Sequence, residues 1–230
     1  MTIVSIGNNT GNAGGMADDR IDTHNTGAYN QGAHLWGYCG GYTSRELREL
    51  QRFDLSSIPA GSVCDAATLY LYDTNWSLRT VDNPIAIYRI AAANGDWIEG
   101  TQQDEAQVGS PCWSYKAYNT VGWAGSAGLK TAGTDYVDTV LGSATFTDGV
   151  SGYRGITLTA AGLAVLESWF GSTGGPGWIL IGSTTVGTWS EWHSRQGTDG
   201  NRPYLEVTYG GRPRPARLLN GAALHRASRW

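Results

Sequence analysis

The chain has 230 residues, of which 33 are glycine, 12 tyrosine and 10 tryptophan, while only 16% are charged. This length suits one large all-β domain, and a hydrophobic content of 40% is too high for a disordered polymer. The net charge of −4 leaves an acidic body that makes a poor partner for nucleic acid, and no run approaches the ~18 apolar residues of a membrane span.

Residues 1–16 are rich in Gly and Asn and read as an extended N-terminal arm, without the basic region and apolar run of a secretory signal. From Ala17 the pattern turns to strands and turns. Asp18, Asp19 and Asp22 form an oxygen-rich group, read either as ligands of a calcium ion or as turn-formers and surface charges. His24 and His34 follow in a polar loop. With Asp22 they would make a metal trio, and otherwise the loop is simply solvated. Arg52–Leu55 reads as a strand end before the turn Ser56–Gly61. Ala67–Tyr72 and Ile85–Ile90 alternate as half-buried strands do.

Thr159–Gly171 differs. A capping Thr, a closing Gly, and Leu163, Leu166 and Phe170 at helical spacing predict one short helix packed on a sheet edge. Trp178–Ile181 is a short continuous apolar strand, and Tyr204–Tyr209 closes the set with clear alternation. About eight or more strands of this kind make a two-sheet sandwich. Cys39, Cys64 and Cys112 are odd in number and lack metal spacing. They read as small buried hydrophobes, with one disulfide as the alternative. After Tyr209 the composition changes. Residues 210–230 form a basic tail with a Gly210-Gly211 hinge and a stiff Arg212-Pro213-Arg214-Pro215 segment, followed by Arg217, Leu218, Leu219, Leu224 and Trp230. It reads either as a disordered end or as a docking peptide with an aromatic anchor.

Several segments in order carry a family resemblance: Ala17–Asp22, Glu49–Gly61 with its Arg-Phe-Asp-Leu-Ser-Ser-Ile-Pro-Ala-Gly run, Ala66–Tyr72, Trp97–Gly100, Cys112–Tyr115, Trp123–Gly125, Leu163–Trp169 and Asn201–Tyr209. Over residues 17–209 the chain resembles the DNRLRE family, which is related to carbohydrate-binding modules that recognise alginate-like polymers. The resemblance implies a jelly-roll β-sandwich of two antiparallel sheets with one short helix. It departs from the family pattern at Trp192-His193-Ser194-Arg195-Gln196, where a glutamate of that pattern is missing.

The chain carries no nucleophile elbow, phosphate loop or His-Glu-x-x-His motif, and nothing singles out a catalytic pair among Asp96, Glu99, Asp104 and Glu105. The expectation is therefore a protein that is not an enzyme. Its aromatics are the better clue. Trp36, Trp76, Trp97, Trp113, Trp123, Trp189 and Trp192 exceed the needs of a core, and sugars and partner proteins both use such rings. Trp97, Trp113 and Trp169 are placed inside. Trp76, Trp189 and Trp192, near turn residues, are the candidates for an exposed ligand patch.

Two functions fit. The first is a structural or attachment protein of a phage particle, a capsid decoration or fibre protein, with the arm and tail reaching capsid or fibre subunits or further copies of itself. The second is a polysaccharide-binding module of a secreted or cell-surface degrading system. The setting is a virion or the extracellular space. No cofactor is required, apart from the candidate calcium.

Overall fold

The computed structural model describes residues 1–7, 15–75, 81–198 and 200–211. Their strands are β1 (Thr2–Ile6), β2 (Met16–Asp22), β3 (Trp36–Tyr42), β4 (Arg45–Phe53), β5 (Ser62–Asp73), β6 (Asn83–Ile90), β7 (Tyr115–Ala117), β8 (Val121–Gly122), β9 (Tyr136–Phe146), β10 (Gly152–Thr157), β11 (Trp178–Ile181), β12 (Thr188–His193) and β13 (Tyr204–Gly211). Helix α1 (Ala160–Glu167) lies between β10 and β11. The main ladder runs β1-β13-β5-β12-β3-β4-β11-β6-β9, with β10 added to β5 and β2 to β4, and β7-β8 form a separate pair. Neighbours in the ladder are antiparallel throughout.

The fold is an all-β sandwich. Its two expected sheets are one ladder bent where β12 meets β5 through a single pair, Trp192 and Asp73. Alternation builds the core: along β5, Ala67, Leu69 and Leu71 are buried while Thr68, Tyr70 and Tyr72 are half-buried. Leu69, Leu71, Ile156, Leu205 and Val207 meet Ile85, Ile87, Phe146, Trp178 and Leu180 across the interior. A second cluster gathers Ile21, Leu50, Ile90 and Ile179, with Trp97, Trp113, Trp123 and Leu129 from the connection between β6 and β9. Strand β11 is thus covered on both faces, which is why Trp178-Ile179-Leu180 reads as an unbroken apolar run. Trp97, Trp113 and Trp169 are buried, as their positions in the sequence predict.

Helix α1 begins where the sequence places it. The Thr159 hydroxyl accepts from the Gly162 N–H at 3.2 Å, and Leu166 is buried against the sheets. The three cysteines are free and buried.

The ends differ from expectation. Thr2–Ile6 are no free arm: they pair with Leu205–Tyr209 as β1, because Val4 and Ile6 alternate toward the core. Gly210 and Gly211 are no hinge but the end of β13, opposite Val63 and Ser62. The tail residues Arg212, Arg214, Arg217, Leu218, Leu219, Leu224 and Trp230 lie outside the described residues, as does Trp76. Among the described residues no helix is long and apolar enough to cross a membrane.

Candidate functional site: an aromatic cleft beside β3

Strand β3 reads Trp-Gly-Tyr-Cys-Gly-Gly-Tyr, with large rings separated by small residues. Its register with β12 sets Trp36 opposite His193, Tyr38 opposite Glu191 and Gly40 opposite Trp189. Trp36, Tyr38, Tyr42, Trp189 and His193 therefore share one face, while Trp192 turns to the other, into the core. Two glycines permit this packing. Gly37 has no side chain because the Trp192 indole presses against it, and Gly40 adopts φ +120° beside the Thr188 carbonyl.

This face opens into a cleft of about 250 Å³. Tyr38 and Tyr42 come from β3, Arg45 and Leu47 from β4, Arg20 from β2 and Trp189 from β12, while His24, His34 and Asp104 close it from loops. A shallower hollow of about 240 Å³, lined by Leu35, Trp36 and Gln103, adjoins it across His34 and Tyr38. The rings touch in sequence. Tyr42 and Trp189 centroids are 4.8 Å apart, Tyr38 and Trp189 5.6 Å, and His34 and Tyr38 5.7 Å.

Arg20 is the cation at the base. Its guanidinium lies 4.5 Å from the centre of the Tyr38 ring, and its Nε is 3.0 Å from Asp22 Oδ2. Its Nη2 approaches Asp104 Oδ1 at 4.0 Å. Burial, then the hydrogen bond to Glu191, drives the Tyr38 phenol far above its ordinary pKa, so it keeps its proton. Burial, followed by the charge of Arg20, lowers His34 to about 4. Its Nδ1 accepts the Trp36 N–H at 3.1 Å, which assigns the proton of the neutral ring to Nε2. Glu191 is raised by burial, and its Oε1 accepts from the Thr74 hydroxyl at 2.6 Å.

The three aspartates are the framework of this site rather than surface charges. Asp19 accepts from Asn30 Nδ2 at 2.8 Å, from the Gly100 N–H at 3.0 Å and from the Gln31 N–H at 3.3 Å. Asp18 Oδ2 accepts from the Arg195 N–H at 2.7 Å. Arg195 in turn forms a fork with Glu99 at 3.0 and 2.6 Å, and Gln196 Nε2 reaches the same carboxylate at 2.8 Å. Asp22 holds Arg20 and the His24 N–H. Successive strand residues point to opposite faces, so Asp18 and Asp19 serve different loops. Among the described residues, no group of three or more His, Cys, Asp or Glu side chains converges to hold a metal ion. The three carboxylates tie down the loops that carry His24, His34 and Asp104.

The exposed-patch expectation is corrected as well. Trp192 is fully buried, its ring 6.2 Å from Phe146 in the main core. Trp189 is only 3% exposed and serves as a wall of the cleft. Turn residues flank both tryptophans, but β12 itself is a central strand buried along its whole length. The four acids considered for hydrolysis go separate ways. Asp96 pairs with Lys116 at 2.7 Å, Glu99 with Arg195, Asp104 faces the cleft, and Glu105 bridges Asn30 through the backbone.

Sequence reasoning missed Tyr38, Tyr42, Arg20 and Arg45. The signal was present in β3, where Trp36, Tyr38 and Tyr42 fall on one face of the strand and are separated by glycine and cysteine. No protein-family model and no curated protein matches the chain. The DNRLRE resemblance therefore stands on its motifs alone.

Proposed function

We propose that this chain is a non-catalytic glycan-binding module of the DNRLRE type, whose ligand is a uronate-containing polysaccharide of the alginate kind. The observation that carries this reading is the convergence of Tyr38, Tyr42 and Trp189 with Arg20 and Arg45 on one cleft. A sugar ring offers an apolar face for aromatic stacking and polar edges for hydrogen bonds, and a uronate adds a carboxylate that matches the arginine fork. His34 and Tyr38 are both held in neutral, proton-bearing forms. His34 can therefore donate through Nε2 to a ligand oxygen, while Tyr38, whose proton goes to Glu191, offers its ring face, and the pair suits binding better than proton abstraction. Attachment of a virus particle to a surface glycan would use the same cleft. The capsid-decoration or fibre setting draws on residues 212–230, beyond the described part of the chain.

The test is retention of the full chain on immobilised polyuronates and on neutral polysaccharides, for the wild type, Arg45→Ala and Tyr42→Ala. The wild type should be retained on polyuronate, more weakly as salt rises, and Arg45→Ala should lose most of that salt dependence. Equal retention on neutral and charged polymers, or cleft variants that bind as the wild type does, would defeat the reading.

A further inference from the structure

The hollow lined by Leu35, Trp36 and Gln103 shares a wall with the cleft, because His34 and Tyr38 line both. At about 250 and 240 Å³, the cleft and the hollow each fall short of the roughly 300–1,000 Å³ of sites that enclose a small molecule. Only together do they reach that range. Trp36 and Tyr38 stand two residues apart on β3 and so point to the same side. The Trp36 ring is half-buried and lies 4.3 Å from that of His193, whose Nδ1 accepts the Thr198 N–H at 3.3 Å. Leu35 beside it is an apolar side chain left exposed. The segment is nonetheless fixed. The Ser194 hydroxyl donates to the His34 carbonyl at 2.6 Å, and the Ser194 N–H donates to the Leu35 carbonyl at 3.0 Å. Walls set in advance lose little freedom when a ligand settles between them.

The two halves differ in charge. Arg20, Arg45 and Asp104 line the cleft, whereas the hollow has no ionised side chain in its wall, since His34 is neutral at pH 7. Resting on the glycan-binding reading of the cleft, we infer that the hollow is a second sugar subsite of the same site. The ligand unit is then a disaccharide: one residue presents its carboxylate to the arginines of the cleft, and its neighbour lies on Trp36 with its charge unread. His34, on the shared wall, keeps its Nε2 proton for a ligand oxygen, and Gln103 supplies an amide for hydroxyls of the second ring. An aromatic face edged by neutral donors and acceptors matches a sugar, which is apolar on its face and hydroxylated around its rim. A protein partner would instead need about 800 Å² of matching surface, and this recess is the size of one ring.

The experiment is calorimetric titration of the full chain with mannuronate, its dimer, and the dimer carrying one carboxylate reduced to an alcohol at either residue. It compares the wild type with Trp36→Ala and Trp36→Phe. The wild type should bind the dimer about tenfold more tightly than the monomer, and Trp36→Ala should lose that gain while binding the monomer normally. Trp36→Phe should keep most of it. One of the two reduced dimers should bind as the dimer does and the other should not. If circular dichroism shows Trp36→Ala unfolded, Trp36→Leu replaces it, keeping apolar bulk without the ring. A wild type that binds monomer and dimer equally overturns the inference and leaves the cleft reading intact. So does a Trp36→Ala variant that weakens both ligands alike, since Trp36 would then only brace the cleft, or one that keeps the full gain for the dimer. Equal weakening of the two reduced dimers overturns it as well, because both carboxylates would then be read. A wild type that binds none of these ligands overturns both readings.

Discussion

Replacing Asp19 with Asn tests the electrostatic framework beneath the cleft. Burial raises this carboxyl to about 7, against ~3.9 for an unfolded aspartate. Its folded pKa is therefore the higher one. The stability it contributes is complete below about pH 4 and is lost as pH rises toward 7, because the folded chain retains a proton that the unfolded chain releases. Each pH unit in that window is worth about 1.4 kcal/mol, so the full window is on the order of 4 kcal/mol. Burial also raises Asp18, with Glu99 adding to the shift, and it raises Glu49, with Asp18 adding, so both act in the same direction. His34, lowered to about 4, acts in the opposite one: it disfavours folding as pH falls below ~6.5. Comparing slopes removes these shared contributions. Urea unfolding of the wild type and Asp19→Asn from pH 4.5 to 7 should give curves of stability against pH whose slopes differ by about 1.4 kcal/mol per unit, the wild type falling more steeply. The variant also pays a constant cost of about 1–3 kcal/mol, because one of its amide groups turns a donor toward a site built for acceptors. Parallel curves would show that Asp19 does not titrate in this range, and the framework argument would fail.

Three further outcomes follow. Glu99→Gln breaks the fork with a partly exposed Arg195 and should lower stability by about 1–3 kcal/mol, read as a shift in urea midpoint at unchanged slope. Gly37→Ala drives a methyl group into the Trp192 indole and should cost about 1–3 kcal/mol, with a changed near-ultraviolet dichroism signal that a surface substitution would not produce. Burial holds all three cysteine thiols above their ordinary range, Cys64 at about 11, so a thiol reagent at neutral pH should label none of them in the folded chain and all three in denaturant. Rapid labelling of the native protein would contradict the buried positions.

The strands were legible where only one face is buried, because period-two alternation survives in Ala67–Tyr72, Ile85–Ile90 and Tyr204–Tyr209. The helix was legible from its Thr159 cap and from Leu163 and Leu166, although it ends at Glu167, before the Phe170 and Gly171 that the spacing included. Two kinds of feature were hidden. The first depends on chain-distant partners: nothing local tells that Asp18 meets the backbone of Arg195, or that Asp19 meets that of Gly100. Acids on a strand read as surface charge until such donors are found. The second is the depth of β12. Its polar residues Ser190, Glu191 and His193 disguise a central strand, and Trp189 and Trp192 read as exposed because the neighbouring segments are rich in turn residues.

The buried acids and the aromatic face answer to one constraint. A sheet that bends through a single residue pair leaves few backbone hydrogen bonds to hold β5 against β12, with Thr74 on Glu191 adding to them. The loops beyond that junction lack strand partners of their own, and Asp18, Asp19 and Asp22 supply acceptors for their N–H groups instead. Those loops carry His24, His34 and Asp104, so the geometry of the cleft depends in part on Asp19, whose carboxyl burial raises to about 7. Ligand binding at the proposed cleft and folding stability should therefore respond to the same protons. Asp19→Asn tests this directly, since a variant that flattens the stability profile should also flatten the pH dependence of glycan affinity.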